Sequence, residues 1–488
     1  MAKWLERLTW IFWLALVVSL PFTSLPLVAK LIHSSSVAPA ALIFLGLLCV
    51  TWLPVYLWKK GTFPTQVKIA LAFFLTGLIA TGISFFLETP SFKDETLLSN
   101  VVSGLVTFCI GILFYLITTV LPHDNQKIRQ TLQAINWGGA IMLGWDVLVS
   151  AITFLSPGDT PTYLRVVQHL FTTTTFFGIR SVGFAAEPSW LAHILNMVYL
   201  PYWLGATISN YTAARKKIWK ISLENVLLVV GFGVLFKTLS RAGLGAFILA
   251  LGFFFVQLNV WVVKKISQKV GSKTARGLVT TGLILGLLAL YVGGATGMVY
   301  VLSKIDPRME QVFSLNILTQ SGFTKYADTL QFGERFTYWQ AGWRTFNQHP
   351  LIGVGIGNAG FYFTQNLPDN AWNLAEVRQL IYHTSGLMNV KSMWSRILAE
   401  TGIVGFSFFL LLLVVTGITA FKLTQSANRM KVTVGRMGIC MLMAFIIEGF
   451  SVDSFALPYL WFTLGLVAAV WRWSSQTQTR QGETNGSF

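Results

Sequence analysis

Long uncharged apolar runs recur along the chain, among them "FFLTGLIATGISFFL" and "FSFFLLLLVVTGITAF". Runs of roughly 18 or more apolar residues are typical of membrane-spanning helices, because lipid offers the backbone polar groups no partner except one another. Only 11% of the 488 residues are charged, whereas a soluble domain carries about 25%. The sequence therefore predicts an all-α, polytopic membrane protein.

We place twelve spans from the length and hydropathy of these runs. The first nine form a bundle in residues 1–301, a long loop occupies 302–401, and three more spans fill 402–473. The polar segment 474–488 is expected to be a disordered tail. The predicted spans are 8–29, 37–58, 66–87, 98–121, 132–155, 188–208, 222–239, 242–262, 277–301, 402–422, 434–452 and 455–472.

The connections between the spans alternate in charge. One set contains the basic segments "ARKKIWK" and "KKISQKVGSKTAR", and the other includes the acidic "ETPSFKDET". Because positive loops stay in the cytoplasm, both termini are predicted to be cytoplasmic, and the loops 156–187 and 302–401 to be extracytoplasmic. The net charge of +17 is then explained by basic cytoplasmic loops that lie against anionic lipid headgroups, and we expect no nucleic-acid partner.

The segment "GVGIG" at 353–357 looks like a glycine loop that cradles phosphate, because alternating glycines let backbone amides approach a pyrophosphate. A dinucleotide fingerprint also needs a preceding strand, a following helix and access to cytoplasmic nucleotide. Here "NQHP" precedes the glycines, in a loop predicted to be extracytoplasmic. We interpret Gly353, Gly355 and Gly357 as a hinge into the long loop, with direct phosphate contact as the alternative.

The segment "ERFTYWQAGWRTFNQ" carries an aromatic stripe at helical spacing. Such a helix would lie at the membrane interface, where tryptophan is favoured, or would pack against the spans beneath it. Both interpretations stay open. The stripe consists of Phe336, Trp339, Trp343 and Phe346.

The sequence gives no sign of a metal site or of a reactive cysteine. There is no HExxH motif, no pair of metal carboxylates and no Cys/His cluster, so we predict neither a metal nor another cofactor. Cys49, Cys109 and Cys440 lie far apart inside apolar runs, as small buried hydrophobic residues do.

Arginines are frequent in the segments predicted to be extracytoplasmic. Arg241 lies beside Lys237 in the very short turn "KTLSRAG". A positive pair in an outer turn opposes the positive-inside rule, so we expect something to compensate it. Two interpretations stay open, because guanidinium binds phosphate bidentately and long basic side chains also reach to lipid headgroups.

Four segments between residues 170 and 410 share the order and spacing of a known signature. They are "RSVGFAAEPSWLAHIL", "KTLSRAGLGAFILAL", "GERFTYWQAGWRTFNQHPLIGVGIGNAGF" and "WSRILAETGIVGFSFF". Together they resemble the bacterial O-antigen polymerase/ligase superfamily. The resemblance implies about twelve helices with one large extracytoplasmic loop bearing amphipathic helices, similar to the GT-C class. It also implies glycan transfer from undecaprenyl diphosphate carriers at the outer face of the bacterial inner membrane, without nucleotide sugar or metal.

The same resemblance gives the basic residues a role. They would hold the carrier's diphosphate and stabilise the charge that grows on it as it leaves. The implied diphosphate-binding residues are Arg180, Arg241, Arg335, Arg344 and Lys391.

A general base must remove the proton from the incoming sugar hydroxyl. Ligases of this superfamily place a histidine eleven residues before the Gly-x-x-Gly pair, but this sequence has Lys391 there. His383, eight residues upstream, is one candidate, since histidine suits proton transfer near neutral pH. The others are Glu187, which has helix capping as its alternative role, and Glu400, which has an ion pair with Lys391 or with Arg396, one helical turn away, as its alternative role.

The missing histidine favours a polymerase, which joins two lipid-linked glycans. The first alternative is a ligase or a protein O-oligosaccharyltransferase, which moves the glycan to lipid A core or to protein. A transporter or flippase is the rival of another class, but transporters often contain internal repeats and this chain has no matching halves. The expected partners are a lipid-linked donor and acceptor, membrane lipid and a chain-length regulator.

Overall fold

The computed structural model describes residues 3–32, 37–59, 61–155, 160–214, 219–304, 316–317, 319–320, 322, 325–326 and 332–485. They form helices joined by short connections, and no β-strand occurs among them. The α-helices, numbered in chain order, are α1 Lys3–Val18, α2 Pro26–Ile32, α3 Ala41–Thr51, α4 Leu53–Trp58, α5 Thr65–Ser84, α6 Leu97–Val120, α7 Asn125–Leu155, α8 Thr162–Phe171, α9 Pro188–Ile194, α10 Leu200–Ile208, α11 Leu223–Lys237, α12 Arg241–Ser267, α13 Lys273–Ser303, α14 Gly333–Gln348, α15 Phe363–Asn366, α16 Ala375–His383, α17 Met393–Thr424, α18 Arg429–Glu448 and α19 Pro458–Asn485.

Seven helical segments in the described part of the chain are long and apolar enough to cross a membrane. They coincide with seven of the twelve predicted spans. The other five predicted spans also fall on helices. Span 8–29 covers α1 and α2, span 188–208 covers α9 and α10, and the remaining three fall on α11, α12 and α19. That these five cross a membrane stays a prediction. The seven segments are Ala41–Trp58, Thr65–Ser84, Leu97–Val120, Asn125–Leu155, Thr274–Gly294, Met393–Thr424 and Arg429–Glu448.

Both ends of the chain differ from the predicted boundaries. The first predicted span, 8–29, is broken, since α1 ends at Val18 and α2 begins only at Pro26. Pro21 lies in the break, and proline cannot donate the amide hydrogen bond that would continue the helix. At the other end, α19 continues to Asn485, through most of the segment in which we expected disorder.

Glycines let the helices of the bundle approach closely. A Cβ on Gly111 of α6 would lie 2.7 Å from the carbonyl oxygen of Phe455, just before α19. A Cβ on Gly205 of α10 would lie 2.7 Å from the carbonyl oxygen of Thr433 in α18. Such contacts stabilise membrane bundles through van der Waals packing, because lipid is as apolar as the side chains it surrounds.

Helix α14 carries the aromatic stripe, which confirms the helix predicted from its spacing. Its buried face is a different one and includes Tyr338 and Ala341, whereas Trp343 is 52% exposed. Trp339 contacts Phe450 after α18, with ring centroids 5.0 Å apart. The stripe thus packs partly on the bundle and partly exposes aromatic surface of the kind favoured at membrane interfaces.

The glycine segment, residues 353–357, is packed among α5, α6 and α17. Gly353, Gly355 and Gly357 have φ angles of 77°, 88° and 87°, in the left-handed region that only glycine adopts readily. A Cβ on Gly353 would lie 2.6 Å from the carbonyl oxygen of Ala399. These glycines therefore turn the chain and leave room for the backbone of α17.

The amides of the glycine segment already have protein partners. Val354 donates to the carbonyl oxygen of Ala399, and Gly355 donates to that of Glu400, both at 3.0 Å. The amide of Ile356 donates to a hydroxyl of α5 at 3.0 Å. Amides bonded in this way are not presented to a phosphate, so the segment acts as a buried connection between helices.

Helix α17 adapts to the glycine segment through an interruption at Gly402, where φ is 62° and ψ is −167°. A Cβ on Gly402 would lie 2.4 Å from the carbonyl oxygen of Leu351. The interruption lets the Ile403 amide donate to the carbonyl oxygen of Pro350 at 2.8 Å. The first part of α17, which carries Glu400, is thereby held against the end of the long loop.

We expect Gly353→Ala to lower thermal stability. Alanine at this positive φ costs about 1–3 kcal/mol of backbone strain, and its Cβ would also press on Ala399. Gly178→Ala is the matched control, since Gly178 has a φ of 59° but no heavy atom within 4 Å of an added Cβ. Thermal unfolding of the detergent-purified protein should show the larger drop for Gly353→Ala, and equal drops would contradict the close contact.

Candidate active site

Two adjoining cavities open at the end of the bundle where the glycine segment lies, with volumes of about 460 and 470 Å³. We name the first the arginine chamber, which is lined by Arg180, Arg241 and Arg335. We name the second the polar chamber, which is lined by Asn100, Trp190, Lys391, Arg396, Glu400 and Asp453. Glu187, Arg335 and Ser451 line both, so the chambers form one continuous site.

Three arginines from distant parts of the sequence meet in the arginine chamber. Arg180 precedes α9, and its Nε donates to the carbonyl oxygen of Thr238 at 2.9 Å. Arg241 is the first residue of α12. Arg335 lies in the first turn of α14, and its Nη1 donates to the carbonyl oxygen and Oγ of Ser451 at 3.0 and 3.2 Å. These bonds orient guanidinium groups that suit phosphate oxygens.

Glu187 lies at the boundary between the two chambers. The residue after it, Pro188, suits the first position of α9, because its missing amide hydrogen has no partner there in any helix. The carboxylate of Glu187 accepts a hydrogen bond from Ser189 Oγ at 3.0 Å but forms no side-chain cap on the helix. Glu187 is exposed, and no ion pair among the described residues engages it. A carboxylate therefore remains available beside Arg335.

The carboxylate of Glu400 is buried and paired. It accepts a hydrogen bond from Arg396 Nε at 3.0 Å, one turn earlier on α17, which confirms the ion pair considered from the sequence. Arg396 Nη1 donates to the carbonyl oxygen of Asp453 at 2.7 Å, and its guanidinium lies 4.6 Å from the ring centroid of Phe455. The backbone amide of Gly357 also interacts with Glu400. Glu400 thus ties the glycine segment to the chamber wall.

Lys391 lies at the opposite wall of the polar chamber in an unusual backbone conformation, with a φ of 51°. Its amide donates to Asp453 Oδ2 at 2.9 Å, and its ammonium pairs with Glu376 and lies 5.0 Å from the ring centroid of Tyr338. Burial, and then the nearby Glu376 carboxylate, raise the pKa of Tyr338, whose hydroxyl donates to Glu376 at 3.3 Å. The surroundings of Lys391 therefore suit a cation.

Two residues suggested by the sequence lie elsewhere. His383 ends α16 and lines a separate cleft with Lys93 and Glu95, outside both chambers. Arg344 donates through Nη1 to the carbonyl oxygens of Asn366 and Leu367 at 3.3 and 3.2 Å. The structure brings together Arg180, Arg241, Arg335, Glu187, Lys391 and Glu400, and it leaves His383 and Arg344 apart from them.

A buried polar network lies beneath the arginine chamber. Glu448 at the end of α18 contacts His193 Nδ1 at 3.1 Å and accepts a hydrogen bond from Asn196 Nδ2 at 2.7 Å. Asn196 Nδ2 also donates to the carbonyl oxygen of Gly243, in the first turn of α12, at 2.8 Å. Asn196 lies in a π-helical turn, Leu195–Tyr199, a feature common at functional sites. The network joins α9, α12 and α18 close to Arg241.

Sequence reasoning did not identify several residues of the chamber walls. Asn100 and Trp190 lie in the first turns of α6 and α9, and single polar or aromatic residues at helix starts carry no spacing signal. Asp453 was noticed from the sequence as one of the acidic residues near this face, whereas Ser451 was not, although "SVDS" is a short polar stretch between two apolar runs. Polar side chains in so short a connection must lie at the end of the bundle, where water or other polar groups can form hydrogen bonds with them.

Removing one partner of the Arg396–Glu400 pair should destabilise the fold. Arg396→Ala leaves a carboxylate that is 4% exposed without its cation, which costs about 3–5 kcal/mol for a buried pair. The double variant Arg396→Ala/Glu400→Ala should lose less stability than the two single changes added together. Thermal unfolding of all four proteins gives the coupling, and strictly additive losses would refute the pairing.

Part of the chain matches a known protein family. Residues 226–410 match the family model described as O-Antigen ligase. The match spans α11 to the middle of α17 and so includes Arg241, Arg335, Lys391 and Glu400. It supports the O-antigen polymerase/ligase superfamily and does not separate a polymerase from a ligase. No curated protein matches the chain.

Proposed function

We propose that this membrane protein, a member of the O-antigen polymerase/ligase superfamily, is a polymerase of oligosaccharide repeat units linked to undecaprenyl diphosphate. The product would be an O-antigen, a capsule or an exopolysaccharide. The reaction is a metal-independent, inverting glycosyl transfer at the outer face of the bacterial cytoplasmic membrane. The observation that carries the proposal is the meeting of three arginines with Glu187 in one continuous site.

The arginine chamber holds the diphosphate of the donor. Arg180, Arg241 and Arg335 enter it from three separate elements, so they can contact both phosphates at once. Negative charge grows on the diphosphate as its bond to the sugar breaks, and cations fixed in advance stabilise that charge without reorganising. The positive end of the α12 dipole lies at Arg241 and favours the same anion.

Glu187 acts as the general base, and the acceptor glycan occupies the polar chamber. The carboxylate of Glu187 takes the proton from an acceptor hydroxyl, and the hydroxyl oxygen forms a bond to the anomeric carbon of the donor. The bond from that carbon to the diphosphate oxygen breaks, and its electron pair stays on undecaprenyl diphosphate. Attack opposite the leaving group inverts the anomeric configuration.

Position and partners favour Glu187 over the other two candidates for the base. Glu187 borders both chambers, so it lies between the expected places of leaving group and acceptor. Glu400 already binds Arg396, and proton uptake would weaken that buried pair. His383 opens into another cleft and would need the end of α16 to move before it reached either chamber.

The environment of Lys391 supports a polymerase rather than a ligase. Lys391 stands where ligases of the superfamily have a histidine, and it pairs with Glu376 in a setting that suits a cation. A cation at this place favours an anionic acceptor over proton removal. In a polymerase both substrates carry a diphosphate. The ligase remains the second candidate, because the family match carries that description.

Glu187→Gln should lower kcat about 10²- to 10⁴-fold, the usual contribution of a general base. The acidic limb of the pH–rate profile, which reports protonation of the base, should also disappear. His383→Ala serves as the control and should keep both the rate and the limb, since His383 lies outside the chambers. If the pH–rate profile changes in His383→Ala and stays the same in Glu187→Gln, His383 is the general base and Glu187 is not.

A single substrate separates polymerase from ligase. The purified protein receives one undecaprenyl-diphosphate-linked repeat unit and no other acceptor. A polymerase should produce a ladder of longer lipid-linked chains, resolved by gel or mass spectrometry, and Arg241→Ala should abolish the ladder without reducing the amount of protein in the membrane. If no ladder forms but glycan moves to an added lipid A core, the protein is a ligase.

A further inference from the structure

A third cavity lies at the edge of the bundle, between the end of α7 and the segment before α9. We name it the outer cleft, and its volume is about 910 Å³. Two basic residues, four hydroxyls and an apolar rim line it, and no aspartate or glutamate is among its described lining residues. They are Arg165 and Lys237, then Ser150, Thr153, Thr160 and Thr175, and then Phe154, Phe176 and Ile179.

The charge of the outer cleft is only partly compensated. Lys237 donates a hydrogen bond to Ser150 and interacts with Asp146, which is buried beneath it. Asp146 is held in turn by Ser181 Oγ at 2.8 Å, and it is the compensating group expected for the basic turn before α12. Arg165 on α8 is exposed and forms no ion pair with a described residue, so the described lining of the cleft carries a net positive charge.

The outer cleft connects with the arginine chamber through a small cavity of about 30 Å³. The small cavity shares Ser150 and Lys237 with the outer cleft and shares Arg180 with the arginine chamber. Lys237 and Arg180 line the small cavity together with Asp146, so basic side chains extend from Arg165 to Arg241. The small cavity has about the volume of one water molecule, so its lining must move apart before a diphosphate can pass.

The rim of the outer cleft identifies the kind of ligand. Phe154 and Ile179 are 83% and 65% exposed, beside the hydroxyls and the two cations. A free phosphate gains no binding energy from an apolar rim. A lipid with a phosphate headgroup can contact both the basic side chains and the apolar rim. The position at the end of α7, a candidate membrane span, suits a ligand that stays in the bilayer.

We propose that the outer cleft is a docking site where the diphosphate of a polyisoprenyl carrier binds before it reaches the arginine chamber. This inference rests on the proposed function, because it assumes that the carrier is the substrate. Arg165 and Lys237 bind the phosphates, the hydroxyls complete their hydrogen bonds, and the isoprenyl chain lies along Phe154 and Ile179. Arg180, shared with the path inward, receives the headgroup next.

Binding stoichiometry tests the site without relying on catalysis. Native mass spectrometry of the full chain with saturating geranylgeranyl diphosphate counts the bound molecules, including any that the acceptor site beside Lys391 holds. Arg165→Gln and Arg241→Ala should each bind one molecule fewer than the unaltered protein, and the double variant two fewer. Arg378→Gln removes an exposed arginine outside all these cavities and should bind the unaltered number. An unaltered number on Arg165→Gln, or a single molecule on the unaltered protein, would overturn the proposal.

Turnover of a lipid-linked repeat unit provides the second readout. Arg165→Gln should raise KM about five- to tenfold and leave kcat unchanged, since the residue acts before the chemical step. An unchanged KM would overturn the docking role. If the protein shows no turnover at all, the proposed function fails, while the stoichiometry still decides whether the cleft binds a polyisoprenyl diphosphate.

Bulk phospholipid is the other source of a lipid phosphate. Repeating the stoichiometry in nanodiscs of phosphatidylglycerol and of phosphatidylcholine separates the two. If the geranylgeranyl diphosphate that Arg165→Gln loses stays bound to the unaltered protein in both lipids, the outer cleft is a carrier site. Its displacement by phosphatidylglycerol alone would assign the cleft to anionic phospholipid and overturn the proposal.

Discussion

The rest of the site depends on the backbone pairing between the glycine segment and the start of α17. Non-helical backbone inside a membrane bundle is stable only where protein groups satisfy its amides and carbonyls. The Val354 amide finds the carbonyl oxygen of Ala399 because three left-handed glycines turn the chain and Gly402 interrupts the helix. This pairing fixes Glu400 at the wall of the polar chamber. It also fixes the end of the segment that leaves α14, and so the place where α14 presents Arg335.

The end of α18 holds the other half of the site. Its last residue, Glu448, reaches through Asn196 to the first turn of α12, which begins with Arg241. Three residues later, Ser451 accepts two hydrogen bonds from Arg335. Guanidinium groups that share one cavity repel one another, so an arginine chamber needs a scaffold that holds them by neutral acceptors and buried side chains. The same helix end bonds the side chain of Arg335 and, through Asn196, holds the backbone turn that carries Arg241.

Much of this could be predicted from the sequence, because hydropathy and charge are local properties. The apolar runs located the helices, and the resemblance to a known family pointed to Arg180, Arg241 and Arg335, together with Arg344 and Lys391, before the positions of these residues could be known. The positions of His383 and Arg344 could not be predicted, because they depend on how the long loop folds back on itself. Nor does the sequence show the tertiary contact between Asn196, in the π-helical turn, and Glu448. The spacing of residues in a sequence identifies helices. Choosing among the candidate general bases requires their positions in three dimensions.

The division of charge between the chambers suits one site to both halves of the proposed glycosyl transfer. A departing diphosphate needs cations, and an attacking hydroxyl needs a carboxylate that is free to accept a proton. Free carboxylates near a diphosphate would repel it, so the other acids must be neutralised. The polar chamber meets this requirement, since Arg396 pairs with Glu400 and also interacts with the charge of Asp453, which accepts a hydrogen bond from the amide of Lys391. Among the described acids that line the chambers, only Glu187 keeps an accessible carboxylate with just a serine hydroxyl bonded to it. It lies at the boundary where the proposed proton removal and departure of the leaving group would be coordinated.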